Sequence, residues 1–94
     1  MKISKEKREK ISEQVLAYLF SINPRPAFTS HIAREIARDE EFIKTLLQYL
    51  EAKKLIVEVD KNPKGKKYLR RSRWKLSTNA YNLYKNLQND KNFL

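Results

Sequence analysis

An α+β fold, mostly α, is predicted by three features of the sequence. Apolar residues recur at three- and four-residue steps through the first half and again near the end, the spacing of a helix face. The run Leu55-Ile56-Val57-Glu58-Val59-Asp60 is rich in β-branched residues and is followed by Asn62-Pro63-Lys64-Gly65, whose Asn, Pro and Gly fall where a type I turn prefers them. A length of 94 residues with one glycine and three prolines leaves room for a single core of three or four helices plus a small sheet.

The first helix should run from Ser4 to Ile22, with Ile11, Val15, Leu16, Leu19 and Ile22 on its inner face. Its first turns (Lys5, Glu6, Lys7, Arg8, Glu9, Lys10) mix signs, which permits local ion pairs and little burial. Asn23-Pro24-Arg25-Pro26 ends it, because proline lacks an amide donor and drives its predecessor from the helical region. Thr29 or Ser30 is the expected cap of a second helix reaching Arg38, with Ile32, Ala33, Ile36 and Ala37 inward.

A third apolar set, Phe42, Ile43, Leu46, Leu47 and Leu50, follows with no Gly or Pro before it. Phase separates the two helices. Continuing the 32, 36 series would bury Glu40 and turn Phe42 outward, whereas a restart with Asp39 as cap buries the apolar set. Asp39, Glu40 and Glu41 then stand at the positive end of a helix dipole.

In the segment returning from the turn, Tyr68, Trp74 and Leu76 share one alternation phase while Arg71, Arg73 and Lys75 share the other. One face packs and the other is cationic. Ser77 or Thr78 can cap a final helix carrying the stripe Ala80, Leu83, Tyr84 and Leu87, with Tyr81 beside it and a tail that frays from Asn89.

The charge is unevenly distributed. Of a formal +10, residues 1–60 contribute +1 and residues 76–94 another +1. The remaining +8 lies in Lys61, Lys64, Lys66, Lys67, Arg70, Arg71, Arg73 and Lys75, with no carboxylate among them. Solubility requires no such segregation, so a polyanion is the expected counter-charge. A lipid surface fits less well, since the stretch has turn and strand character and lacks an apolar anchor.

With no cysteine, the single His31 and no Gly-rich loop, the sequence offers no disulfide framework, no Cys/His metal set and no phosphate-cradling turn. The expectation is binding rather than catalysis, with no cofactor and no evident small-molecule effector. No apolar run approaches the roughly 18 residues that span a bilayer, and no signal peptide is evident, so a cytoplasmic, nucleoid-associated protein is expected.

The order helix, helix, helix, hairpin with a basic tip, helix resembles the winged helix-turn-helix family, especially its small archaeal and bacterial regulators. Leu50-Glu51-Ala52-Lys53-Lys54-Leu55-Ile56 is similar to the family's passage from recognition helix to first wing strand. Leu76-Ser77-Thr78-Asn79-Ala80 is similar to its Leu-Thr-x-x-Gly step into the final helix. Lys54 and Ala80 replace glycines common in the family, and Glu40 and Glu41 stand at the start of the helix that in family members enters the major groove. There, either a carboxylate accepts from cytosine or this end does not insert deeply.

The resemblance implies one winged-helix domain over 1–94, with the helix-turn-helix at about 30–53, a two-stranded basic wing at about 55–76 and a C-terminal helix at about 78–89. It implies double-stranded DNA as partner, in transcription regulation or chromatin association. Lys44, Thr45 and Gln48 would face the major groove, and the eight wing cations would lie along the backbone or in the minor groove. The stripe Ala80, Leu83, Tyr84 and Leu87 would form a homodimer contact or close the core of a monomer. Two other uses of the same features are docking on an acidic protein partner and RNA binding through Trp74, Tyr68 or Phe28 as stacking platforms.

Overall fold

The structure, a computed structural model, describes residues 4–59 and 72–92. Their order is α1 (Lys5–Ile22), β1 (Ala27–Phe28), α2 (Thr29–Ile36), α3 (Glu40–Ala52), β2 (Ile56–Glu58), β3 (Arg73–Leu76) and α4 (Thr78–Asn92). Lys61, Lys64, Lys66, Lys67, Tyr68, Arg70 and Arg71, and with them the expected turn at 62–65, lie outside the described residues.

In α1 the Ser4 hydroxyl accepts from the Lys7 amide at 3.2 Å, and Ile11, Val15, Leu16 and Leu19 are buried as their spacing predicts. They meet Ile32 and Ala33 of α2 and Ile43, Leu46, Leu47 and Leu50 of α3 in one core. The break between α2 and α3 falls where phase placed it. Asp39 caps α3, its carboxylate accepting from the Phe42 amide at 3.1 Å.

The end of α2 corrects one expectation. Ala37 is exposed rather than inward, because it has left the helix for the left-handed region at φ 59°. The Arg38 amide donates to the Ala33 carbonyl and the Ala37 amide to that of Arg34, which closes the helix in a Schellman motif. The end of α3 repeats this geometry: Leu55 donates to Leu50, Lys54 donates to Glu51, and Lys54 sits at φ 64°. Neither position is glycine, so each carries the cost of a Cβ in the left-handed region. Lys54→Gly should therefore raise the unfolding free energy by up to about 1 kcal/mol, the flexibility of glycine in the unfolded chain offsetting part of the relief. A higher urea midpoint is expected; an unchanged or lower one contradicts the strain at Lys54.

The sheet has three antiparallel strands in the order β1-β3-β2, not the two expected. Ala27 pairs with Trp74 and Phe28 with Arg73, while Ile56, Val57 and Glu58 pair with Leu76, Lys75 and Trp74. A two-residue strand has no alternation to detect; β1 exists because β3 offers it a ladder edge. Its formation also displaces the expected cap. Phe28 is the N-cap of α2 and supplies no side-chain hydrogen bond, while Thr29 Oγ1 accepts from the Trp74 indole Nε1 at 2.9 Å.

Ser77 caps α4, its hydroxyl accepting from the Ala80 amide at 3.2 Å. The helix reaches Asn92, past the expected end near 89 and through the residues expected to fray. Ala80 is buried, and Tyr81 and Tyr84 lie against Phe20 of α1 with ring centroids 5.3 and 5.7 Å apart. Closure of the core by α4 thus uses Ala80 and the two tyrosines, while Leu83 and Leu87 remain 60% and 57% exposed.

Candidate nucleic-acid interface

The apolar stripe of α3 fixes which side chains face outward. Ile43, Leu46, Leu47 and Leu50 are buried, so Lys44, Thr45 and Gln48 are exposed on the opposite side. The Thr45 hydroxyl donates back to the Glu41 carbonyl at 3.2 Å and retains its acceptor capacity. Lys44 and Gln48 border a groove of about 410 Å³ that runs from α3 to the sheet, with the start of α2 along its edge. Glu40, Glu51 and Glu58 line the same groove, so carboxylates outnumber the Lys44 ammonium on this flank.

In β3 Trp74 and Leu76 are buried, and Arg73 and Lys75, on the other phase, are half-buried. The alternation read from the sequence is therefore present in this strand. The six other wing cations follow β2 and precede β3 in the sequence, outside the described residues. Burial of Trp74 at 3% exposure removes it as a stacking platform for bases. Half-buried Phe28 is engaged edge-on by exposed His31 at 5.6 Å.

The opposite flank of α3 holds a group that the sequence reading missed. The Arg8 guanidinium of α1 lies 4.5 Å from the centroid of the Tyr49 ring, and the Lys53 ammonium lies 4.7 Å from it. The Lys53 ammonium beside the phenol, with a weaker contribution from Arg8, holds the Tyr49 pKa below the usual tyrosine value against desolvation and the Glu9 carboxylate. The signal for Arg8 was periodicity: it stands three and four residues before the buried Ile11 and Ser12, whose hydroxyl donates to the Arg8 carbonyl.

Along α1 and α4, Leu16, Ala17, Leu55, Ala80, Leu83, Tyr84 and Leu87 line a largely apolar groove of about 490 Å³ with Glu13 at its border. Burial pushes the Tyr84 phenol pKa up, and the Glu13 carboxylate adds to the shift. Among the described residues, no helix is long and apolar enough to cross a membrane, and no group of three or more His, Cys, Asp or Glu could hold a metal ion.

No protein-family model matches the chain, and no curated protein matches it. Solved structures do. The chain is similar to MepR of S. aureus in complex with DNA, at 23% identity and a TM-score of 0.72, over 89% of this chain and 66% of that one. It is similar to a mutant MepR from a multidrug-resistant S. aureus clinical isolate, at 26% identity and a TM-score of 0.66, over 79% of this chain and 51% of that one. To a mutant of ZitR from Lactococcus lactis, the likeness is 17% identity and a TM-score of 0.66, over 95% of this chain and 56% of that one. The chain thus spans between 51% and 66% of the length of these three structures. With four helices and the small antiparallel sheet in this order, the fold is a winged helix-turn-helix: α2 and α3 form the turn motif and the β2–β3 hairpin forms the wing.

Proposed function

We propose that this chain binds double-stranded DNA and acts as a transcription regulator, its substrate being the nucleoid DNA of the cytoplasm. In this reading α3 turns Lys44, Thr45 and Gln48 toward the major groove. The wing lays Lys61, Lys64, Lys66, Lys67, Arg70, Arg71, Arg73 and Lys75 along the backbone or in the minor groove. The observation that carries it is an exposed α3 face beside the paired strands β2 and β3, together with a sequence in which residues 61–75 hold +8 of the chain's +10. The likeness to a MepR chain solved with DNA supports the same assignment.

Phosphate contacts position the protein and base contacts specify, so the wing supplies affinity and α3 supplies discrimination. Glu40 and Glu51 on the groove flank repel phosphate, which suits a helix that approaches base edges only in the correct register. Two copies joined through the α1–α4 groove would present two such faces to a two-fold related site. The exposure of Leu83 and Leu87 supports that use of the stripe formed with Ala80 and Tyr84.

The test is binding of the chain to a random-sequence duplex and to single-stranded RNA across a salt series, with the mass of the free protein measured in parallel. Tighter binding to duplex, with log affinity falling linearly in log salt, is expected, as is twice the 11.3 kDa chain mass at micromolar concentration. Preference for RNA, or binding to neither, overturns the DNA reading; a monomeric mass removes the dimer.

A further inference from the structure

The two flanks of α3 are lined by different charges. Toward the sheet stand Glu40, Glu51 and Glu58; toward α1 stand Arg8 and Lys53. Thr45, Tyr49 and Lys53 follow one another at four-residue steps and so form one ridge along the helix, beginning at a residue assigned to the DNA face. Among the described residues, no carboxylate oxygen lies within 4 Å of the charged end of Arg8 or Lys53. Glu9 is the one carboxylate that acts on the Tyr49 phenol, and its effect is smaller than that of either cation. Two cations thus share one aromatic ring and repel each other, with no anion among the described residues paired to them.

Their geometry is also restrained. The Arg8 Nε is buried without a hydrogen-bond partner, and the ring holds the guanidinium in place. The second charge is restrained by the same ring, whose centroid lies 4.7 Å from the Lys53 ammonium. Cations fixed before binding lose less side-chain freedom when an anion arrives, which is the condition for a productive phosphate contact.

We infer that Arg8, Tyr49 and Lys53 form a second phosphate-binding site, a clamp for the DNA backbone on the α1 side of α3, across the helix from the wing. A helix in the major groove has a phosphate strand on either side. The wing serves one strand; the clamp serves the other. This inference rests on the DNA-binding reading above, and it assigns the two cations to positioning rather than to sequence readout.

The test measures affinity of the full chain for a random-sequence duplex as a function of salt. The pair Arg8→Gln and Lys53→Gln should make the log–log slope shallower by about 1.8, two phosphate contacts at about 0.9 each. Lys53→Gln alone, at an exposed position outside the core, should make it shallower by about 0.9. The charge-conserving pair Arg8→Lys and Lys53→Arg should keep the wild-type slope. If Lys53→Gln leaves the slope of a binding-competent protein unmoved, or if the charge-conserving pair loses as much as the glutamine pair, the clamp is overturned. Absence of duplex binding by the wild-type chain removes the DNA-binding reading itself, a result distinct from either of those.

Discussion

Trp74→Ala is expected to cost about 3–5 kcal/mol of folding stability, a large share of the about 5–15 kcal/mol typical of a whole domain. Trp74 is 3% exposed at the centre of the sheet, paired on one side with Ala27 and on the other with Glu58. Truncation leaves a cavity the size of an indole, which a core of fixed helices fills only in part. It also removes the donor to Thr29 Oγ1, the bond that ties β3 to the first turn of α2. Trp74→Phe retains much of the ring contact and loses the donor, so its cost should lie between wild type and alanine. Urea unfolding should rank the midpoints wild type, phenylalanine, alanine. Equal midpoints would mean that the sheet is not joined to the core through this residue.

Neutralising the wing should have the largest effect on binding. Changing Lys64, Lys66, Lys67 and Arg70 to Gln removes four of the eight cations and leaves the half-buried Arg73 and Lys75 of β3 in place. If those four meet phosphates, the slope of log affinity against log salt becomes shallower by about 3.6 per subunit. Between about 50 and about 200 mM salt, that difference corresponds to roughly a 150-fold smaller loss of affinity for the variant. The reduction should be similar across DNA sequences, because backbone contacts carry no base information. The urea midpoint should stay near wild type, since Lys and Arg side chains without a carboxylate partner are almost never fully buried. An unchanged slope would move the polyanion contact away from the wing.

The helices were legible because burial is periodic. Ile11 to Leu19 and Ile43 to Leu50 announce their inner faces, and the phase slip at Asp39 marks the turn without any glycine or proline. What escaped was set by tertiary geometry. Ala37 and Lys54 take left-handed conformations that glycine would normally advertise, so the Schellman closures were invisible from composition. The strand β1 is made by its neighbour β3 rather than by its own two residues. Thr29 reads as a helix cap, and only the folded sheet shows its hydroxyl taken by the Trp74 indole.

The proposed binding face divides in the same way. Lys44, Thr45 and Gln48 follow from the apolar stripe by subtraction, and the wing cations are visible as a charge run. Arg8 lies in the mixed-sign first turns, where composition predicts little burial, although its place ahead of Ile11 and Ser12 puts it on the buried side. Its contact with Tyr49 joins residues 41 positions apart, which no local pattern reports.

In the proposed function the α3 face and the wing together grip duplex DNA. Amide chemical-shift mapping during titration with a random-sequence duplex tests it most directly. Shifts concentrated at Lys44, Thr45 and Gln48 and along residues 61–75, with Leu83 and Leu87 undisturbed, are the predicted outcome. Shifts confined to α1 and α4, with the α3 face silent, would contradict it.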